Sequence, residues 1–558
     1  MKNILIVFII SFVCIKVAAQ TSATQHSSVS QQIARPKLVI GIVIDQMRWD
    51  YLYRYNDIFK TTGGFKRLLN DGFSCENTFV PYVPTFTAPG HTCIYTGSVP
   101  AIHGIVGNNW YDNYANKNFY CTDDSTVKTV GSNTDAGKMS PRNMFATTIG
   151  DELRLATNFK SKVIGISIKD RAAILPAGHS PNAAYWYDYK MGVFISSTYY
   201  MDSLPLWVQN FNKRKIVDSL YNLGWVQSLP WNLTAQSYPY ADYSTDDEEP
   251  YESKPFGKDQ TKMPYDLSRF IGKDYSKIAS TPHGNTLTIA MAEAAITNEK
   301  LGKGDATDLL AISFSSPDYV GHAFGPNSWE QLDDYARLDN ELGKFFDFLD
   351  ATIGKGQYTV FLTADHGVAH VPGFDKERQL PGGSFDDEQI FKDMNAQLKQ
   401  QFGKDSLVIS LENFQVTLNH SLIISSSLDK KNIEESVIEF LQKQESVAQV
   451  FDVKEINTFP VTAKQREMFA NGYFPQRSGD IQIILKPGFV EGKGVGTSHG
   501  LWNPYDSHIP LLWYGWGIKH GASNREVYMT DIAPTVSALL HIQMPSGCIG
   551  KVIEEVMK

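Results

Sequence analysis

Short apolar runs that stop abruptly at a polar or charged residue constrain this chain most. Six stand out: KLVIGIVID (37–45), KVIGISIKD (162–170), LLAISFSSPD (309–318), YTVFLTADHG (358–367), DIQIILKPG (480–488) and HIPLLWYGWG (508–517). Continuous β-branched runs of this length read as strands buried on both faces, as in parallel sheets. Helical patterns lie between them, among them 286–298, 328–354 and 530–542. This alternation predicts an α/β fold with a doubly wound, mostly parallel sheet and helices on both faces. Ligand sites in such sheets lie beyond the carboxyl ends of the strands, where Asp45, Lys169, Asp318 and Asp365 fall.

Two stretches interrupt the alternation. Residues 172–280 are rich in Tyr, Trp, Asn and Pro and carry the acidic run 246–249. They read as an insertion covering the site. Residues 371–480 have strand and helix patterns of their own and read as a small α+β cap. Ahead of the core, residues 1–19 combine Lys2, an apolar run and small residues at Ala18 and Ala19, the pattern of a cleaved export signal. That run is shorter than the roughly 20 apolar residues of a membrane span, so no stable membrane association is expected. Residues 20–36 read as a linker into a catalytic domain over 37–558.

Net charge is −9, and loss of Lys2 and Lys16 with the signal takes it to −11, which argues against nucleic acid as a partner. Cys75, Cys93, Cys121 and Cys548 are too scattered for a disulfide scaffold or a zinc finger, although export would permit a bridge. A metal would therefore depend on His and carboxylates. Asp365 and His366 are adjacent at a strand end, Asp318 and His322 have helical i, i+4 spacing after another strand, and His499 lies in the small-residue loop GTSHG. Singly, each has an ordinary reading: Asp caps helices and His satisfies buried backbone. Together with Asp45 they supply three Asp and three His from four segments. Zinc accepts both donor types, and two ions about 4 Å apart suit in-line displacement at phosphorus.

Thr87, before Ala-Pro-Gly-His and a helical stretch, is the candidate nucleophile. As a helix N-cap it would stand where backbone N–H groups and the helix dipole favour an anion. The same geometry serves a purely structural cap.

The motifs DQMR, TFTAPGH, GNNWYD, SIKDRAAILPAGH, SPDYVGHAFGPNS, TADHG, GTSHG and SHIPLLWYGWG followed by MTDIAPTVSALL resemble PafA-type bacterial alkaline phosphatases of the alkaline phosphatase superfamily. The resemblance runs from about residue 37 to the C-terminus. It implies two Zn2+ per chain, one held by Asp318, His322 and His499, the other by Asp45, Asp365, His366 and the Thr87 oxygen. It implies a phosphothreonine at Thr87, with Asn108, Lys169 and Arg171 binding phosphoryl oxygens. Two cations there favour a monoester dianion over a diester, so the expected activity is that of a phosphomonoesterase. The alternative is a phosphodiesterase or nucleotide pyrophosphatase of the same superfamily. No C/S-x-P-x-R sulfatase motif occurs. The expected protein is a periplasmic monomer acting on small phosphate monoesters.

Overall fold

The computed structural model describes residues 34–229 and 242–558. The expected export signal, residues 1–19, lies outside them, as do 20–33 of the linker and 230–241. The central strand, Leu38–Ile44, is buried throughout and pairs in parallel with Asp308–Phe314 on one side and Tyr358–Thr363 on the other. Val163–Ser167 and then Ala183–Asp188 continue the parallel set. Antiparallel strands extend both flanks: Val193–Ser197 and Thr129–Val130 on one, Leu511–Gly515 and Phe73–Cys75 on the other. The outcome is a ten-stranded mixed sheet with a parallel centre.

The helix Thr87–Thr96 packs against Asp170–Ala177 and Ile532–Leu540, while the long helix Trp329–Leu349 packs against Gly64–Asp71 and His283–Glu299. Trp329–Leu349 opens on Ser328, whose hydroxyl accepts the Gln331 N–H, satisfying one of the free donors of the first turn. Among the described residues no helix is long and apolar enough to cross a membrane.

Two of the six apolar runs behave differently from the sequence reading. Leu511–Gly515 joins the main sheet but runs antiparallel to Tyr358–Thr363. Ile481–Leu485 belongs to a separate four-stranded antiparallel sheet with Val408–Glu412, Gln415–Leu418 and Val447–Asp452. An apolar run reports burial, and both sheets bury such runs. The second sheet has its own core, with Val416, Ile433, Val437, Leu441 and Ile483, and so includes residues past 480. The aromatic-rich segment assigned to the first insertion also begins later than 172. Residues 170–177 form a helix over the sheet, and Ala183–Asp188 and Val193–Ser197 are strands of it. Tyr185, Trp186 and Tyr187 are buried core residues of the strand Ala183–Asp188. The four described cysteines Cys75, Cys93, Cys121 and Cys548 are all free.

Candidate active site

Three parallel strands deliver their carboxylates to one edge. Asp45 follows Leu38–Ile44, Asp365 follows Tyr358–Thr363, and Asp318 sits in the first turn of the helix Ser316–Phe324 that succeeds Asp308–Phe314. That helix carries His322 one turn on, its Nε2 3.1 Å from Asp318 Oδ1. His499 Nε2 lies 3.7 Å from the same oxygen, and the His366 and His499 rings stack with centroids 3.5 Å apart. Ligand atoms of Asp318, His366 and His499 lie within 4.8 Å of one another, and so do those of Asp45, Asp365 and His366. Five of the expected ligands, Asp45, Asp318, Asp365, His366 and His499, are therefore brought together. His366 touches both groups, and His322 joins through Asp318.

The imidazoles are arranged for metal binding. Nδ1 of His322, His499 and His366 contacts the carbonyl oxygens of Thr497, Thr85 and Gly367 at 2.7, 2.7 and 3.0 Å. A carbonyl only accepts, so each Nδ1 carries the proton; this leaves His366 and His499 with an Nε2 lone pair toward the cluster, whereas His322 Nε2 faces Asp318, whose charge outweighs burial and raises the His322 pKa. Burial, reinforced by the neighbouring imidazoles, holds His499 well below the ordinary histidine range, and burial likewise lowers His366. Both shifts favour the neutral imidazole, the form that binds metal. Asp45 Oδ1, Asp365 Oδ2 and His366 Nε2 are buried with no hydrogen-bond partner among the described residues. Orphaned acceptors of this kind are costly unless a cation satisfies them. This donor set, mixed nitrogen and carboxylate oxygen without sulfur, fits zinc-type divalent ions.

The carboxylates differ in their balance. Burial raises Asp45 well above the usual aspartate range, with Asp318 and Asp365 adding to the rise. Asp318 goes the other way: burial is outweighed by His322, Lys169 and His499, which hold it ionised. Asp365 is held low against burial by His366 and His91. Lys169 Nζ lies 2.7 Å from Asp45 Oδ2 and 2.5 Å from Asp318 Oδ2, bridging the two ligand groups. Burial disfavours its ammonium, but Asp318 and Asp45 outweigh that and keep it charged.

Thr87 is buried and is the first residue of its helix; Phe86 occupies the cap position and no side chain caps the turn. The expected capping role thus belongs to the neighbouring residue, leaving the Thr87 side chain without that duty. Its surroundings are the site itself. The Thr85 carbonyl holds His499, the Ala88 N–H donates to Asn108 Oδ1 at 3.0 Å, and Gly90 abuts Asp365. Because the Ala88 N–H takes that oxygen, the Asn108 amide nitrogen is the end left to donate. Asn108, His322 and His499 share the lining of an open cavity of about 300 Å³. Arg171, the second residue of the helix Asp170–Ala177 that Lys169 caps, donates to Tyr120 Oη at 3.1 Å, and its buried Nε has no partner among the described residues.

A Cβ on Gly90 would stand 2.6 Å from Asp365 Cβ and 2.7 Å from its carbonyl oxygen. Gly90→Ala is therefore expected to cost about 1–3 kcal/mol, as overpacking does, and to weaken metal retention. Denaturant melts together with metal content after dialysis check this.

Two contributors were missed from sequence. Gln46 donates through its backbone to Asp365 Oδ1 at 3.1 Å and through Nε2 to Asp318 Oδ1 at 2.7 Å. His91 approaches Asp365 Oδ2 at 3.3 Å and Ser313 Oγ at 2.8 Å. The helical spacing of Thr87 and His91 was the available signal, since it puts both on one helix face.

The family model for type I phosphodiesterase / nucleotide pyrophosphatase matches residues 39–502, which is most of the chain. The protein belongs to this family. Within the type I phosphodiesterase / nucleotide pyrophosphatase family it is similar over nearly its full length to proteins named for phosphatase activity. It is 50% identical to alkaline phosphatase PhoV of Synechococcus elongatus over 96% of this chain and 95% of that protein. It is also 50% identical to alkaline phosphatase PafA of Elizabethkingia meningoseptica, over 94% and 95%. The crystal structure of wild-type alkaline phosphatase PafA superimposes with a TM-score of 0.91 at 48% identity, covering 94% of this chain and all of that one.

Proposed function

We propose that this protein is an exported, zinc-dependent phosphatase that hydrolyses phosphate monoesters through a phosphothreonine at Thr87. The observation that carries the reading is the convergence of five buried Asp and His side chains, Asp45, Asp318, Asp365, His366 and His499, with the half-exposed His322 beside Asp318, next to the helix that Thr87 begins. The full-length similarity to relatives named alkaline phosphatases supports it.

Asp318, His322 and His499 would hold one zinc ion and Asp45, Asp365, His366 and the Thr87 oxygen the second, and the pair would supply Lewis acidity to the attacking and leaving oxygens. The Thr87 oxygen attacks phosphorus opposite the ester oxygen; the P–O ester bond breaks, the alcohol departs, and the phosphoryl group is left on Thr87. Water then attacks the phosphothreonine, releasing phosphate and restoring the hydroxyl. The Asn108 amide nitrogen donates to a nonbridging oxygen, alongside the N–H groups of the helix start. Lys169 and Arg171 meet the remaining charge of the monoester dianion. Gln46 and His91 orient Asp318 and Asp365. Residues 1–19 direct export, and the mature chain acts as a periplasmic monomer on small phosphate monoesters.

Lys169→Ala and Arg171→Ala test the substrate class. Each removes a cation that a dianion uses more than a diester monoanion does. Monoester kcat/KM is expected to fall about 10²-fold or more while diester turnover changes much less, as for loss of an oxyanion-stabilising donor. An equal loss on both substrates would favour the diesterase reading.

A further inference from the structure

In-line displacement sends the departing alcohol out opposite the attacking Thr87 oxygen. With that oxygen on the side of Asp45, Asp365 and His366, the alcohol leaves on the side of Asp318, His322 and His499. The open cavity of about 300 Å³ lies on this second side, since His322, His499 and Asn108 line it and Asp45, Asp365 and His366 do not. Its acidic lining comes from three separate elements. Asp387 begins the helix Asp387–Phe402, Glu412 ends the strand Val408–Glu412, and Glu491 ends the strand Phe489–Glu491. All three carboxylates line the cavity, and no Lys or Arg does. This wall is tied to the phosphoryl side: Asn413, next to Glu412, donates through Nδ2 to the Asn109 carbonyl at 2.8 Å.

The charge of the wall is unmet. Glu412 Oε2 is buried with no hydrogen-bond partner among the described residues. The imidazole of His322 is taken up by Asp318 at 3.1 Å, and Lys493, two residues past Glu491, is exposed and paired with Glu388 at 2.7 Å. Among the described residues, the side chains close enough to hold one metal ion are those of the catalytic cluster, and the three wall carboxylates are not among them. They are spread too widely to chelate a single ion. An ammonium group needs no such convergence, because it donates three separate hydrogen bonds and rests on an aromatic face. Phe86 offers that face: it lines the same cavity, its ring T-shaped to His499 with centroids 5.5 Å apart.

We propose, on the monoesterase reading above, that this cavity receives the leaving group and that Asp387, Glu412 and Glu491 select monoesters whose alcohol carries an ammonium, aminoalkyl phosphates being the type, over those whose alcohol is anionic. Burial, with Asp387 and Glu412 adding to it, pushes Glu491 up to about 7, the direction expected where negative charge lacks a partner.

The test compares three small monoesters on the zinc-loaded protein: 2-aminoethyl phosphate, propyl phosphate of the same size without the charge, and phosphoglycolate, whose alcohol carries a carboxylate. At about pH 8 the amine is protonated and the carboxylate ionised. The three alcohols differ in intrinsic leaving ability, so the readout is how the kcat/KM ratios change when the wall changes. Asp387→Asn, Glu412→Gln and Glu491→Gln combined should lower the ratio of 2-aminoethyl to propyl phosphate by about tenfold or more and raise that of phosphoglycolate to propyl phosphate. Glu412→Gln alone should move both ratios the same way by about two- to threefold. Damage to the site lowers all three rates and leaves the ratios where they were. Turnover of all three esters with ratios unchanged in the folded variants would overturn the proposal and leave the monoesterase reading standing. No turnover of any of the three by the wild-type protein would overturn both.

Discussion

Thr87→Ala is expected to eliminate the covalent phosphoenzyme and to reduce monoester turnover by about 10⁴-fold or more, the scale seen when a nucleophile acting with its activating groups is removed. Thr87 begins a helix whose next N–H fixes Asn108 and whose Gly90 lies against Asp365, so losing the hydroxyl removes the attacking atom and leaves the frame standing. The melting temperature should therefore change little, Thr87 having no capping bond to lose. Rapid acid quench with labelled substrate, followed by phosphopeptide mapping, checks the first half, and a thermal melt checks the second. Labelled phosphate trapped on another residue would remove Thr87 from its role.

Metal removal should have an effect of comparable size. With chelator, activity is expected to fall by several orders of magnitude and to return with zinc, because metal ions stabilise both oxygens of the displacement. Stability should fall as well. Asp45 Oδ1, Asp365 Oδ2 and His366 Nε2 are buried acceptors without hydrogen-bond partners, and metal binding to the folded state adds its free energy to folding. Calorimetry of the metal-free and zinc-restored protein measures this, with metal content followed by atomic emission. Asp365→Ala should mimic the metal-free protein in activity and resist rescue by zinc, since Asp365 meets the Gln46 backbone, His91 and His366 at one point.

Much of this was legible in the chain, for a physical reason. Asp45 and Asp365 sit where continuous apolar runs stop, and Asp318 four residues past such a run; a parallel sheet brings those ends to a common edge. The i, i+4 spacing of Asp318 and His322 likewise survived folding as a side-chain contact. Strand direction did not show. Ile481–Leu485 is buried throughout, as Leu38–Ile44 is, yet it pairs in the second sheet, because burial decides composition and pairing partners decide the sheet. The shift of the cap from Thr87 to Phe86 is a one-residue matter that propensity does not resolve. Gln46 and His91 were missed because their partners lie hundreds of residues away, 272 positions for Gln46 and Asp318 and 222 for His91 and Ser313. Lys169 was placed near the phosphoryl group from its strand-end position, but its bridge between Asp45 and Asp318 needed the folded geometry.

The most direct measurement is turnover of an aryl phosphate monoester and the matching diester by the purified mature protein, before and after chelation and zinc restoration. Monoester-dominant turnover that disappears with chelation and returns with zinc is the expected result. Diester-dominant turnover would contradict the proposed substrate class and the roles of Lys169 and Arg171, and tight zinc binding without turnover of either ester would contradict the assignment of Thr87 as a nucleophile.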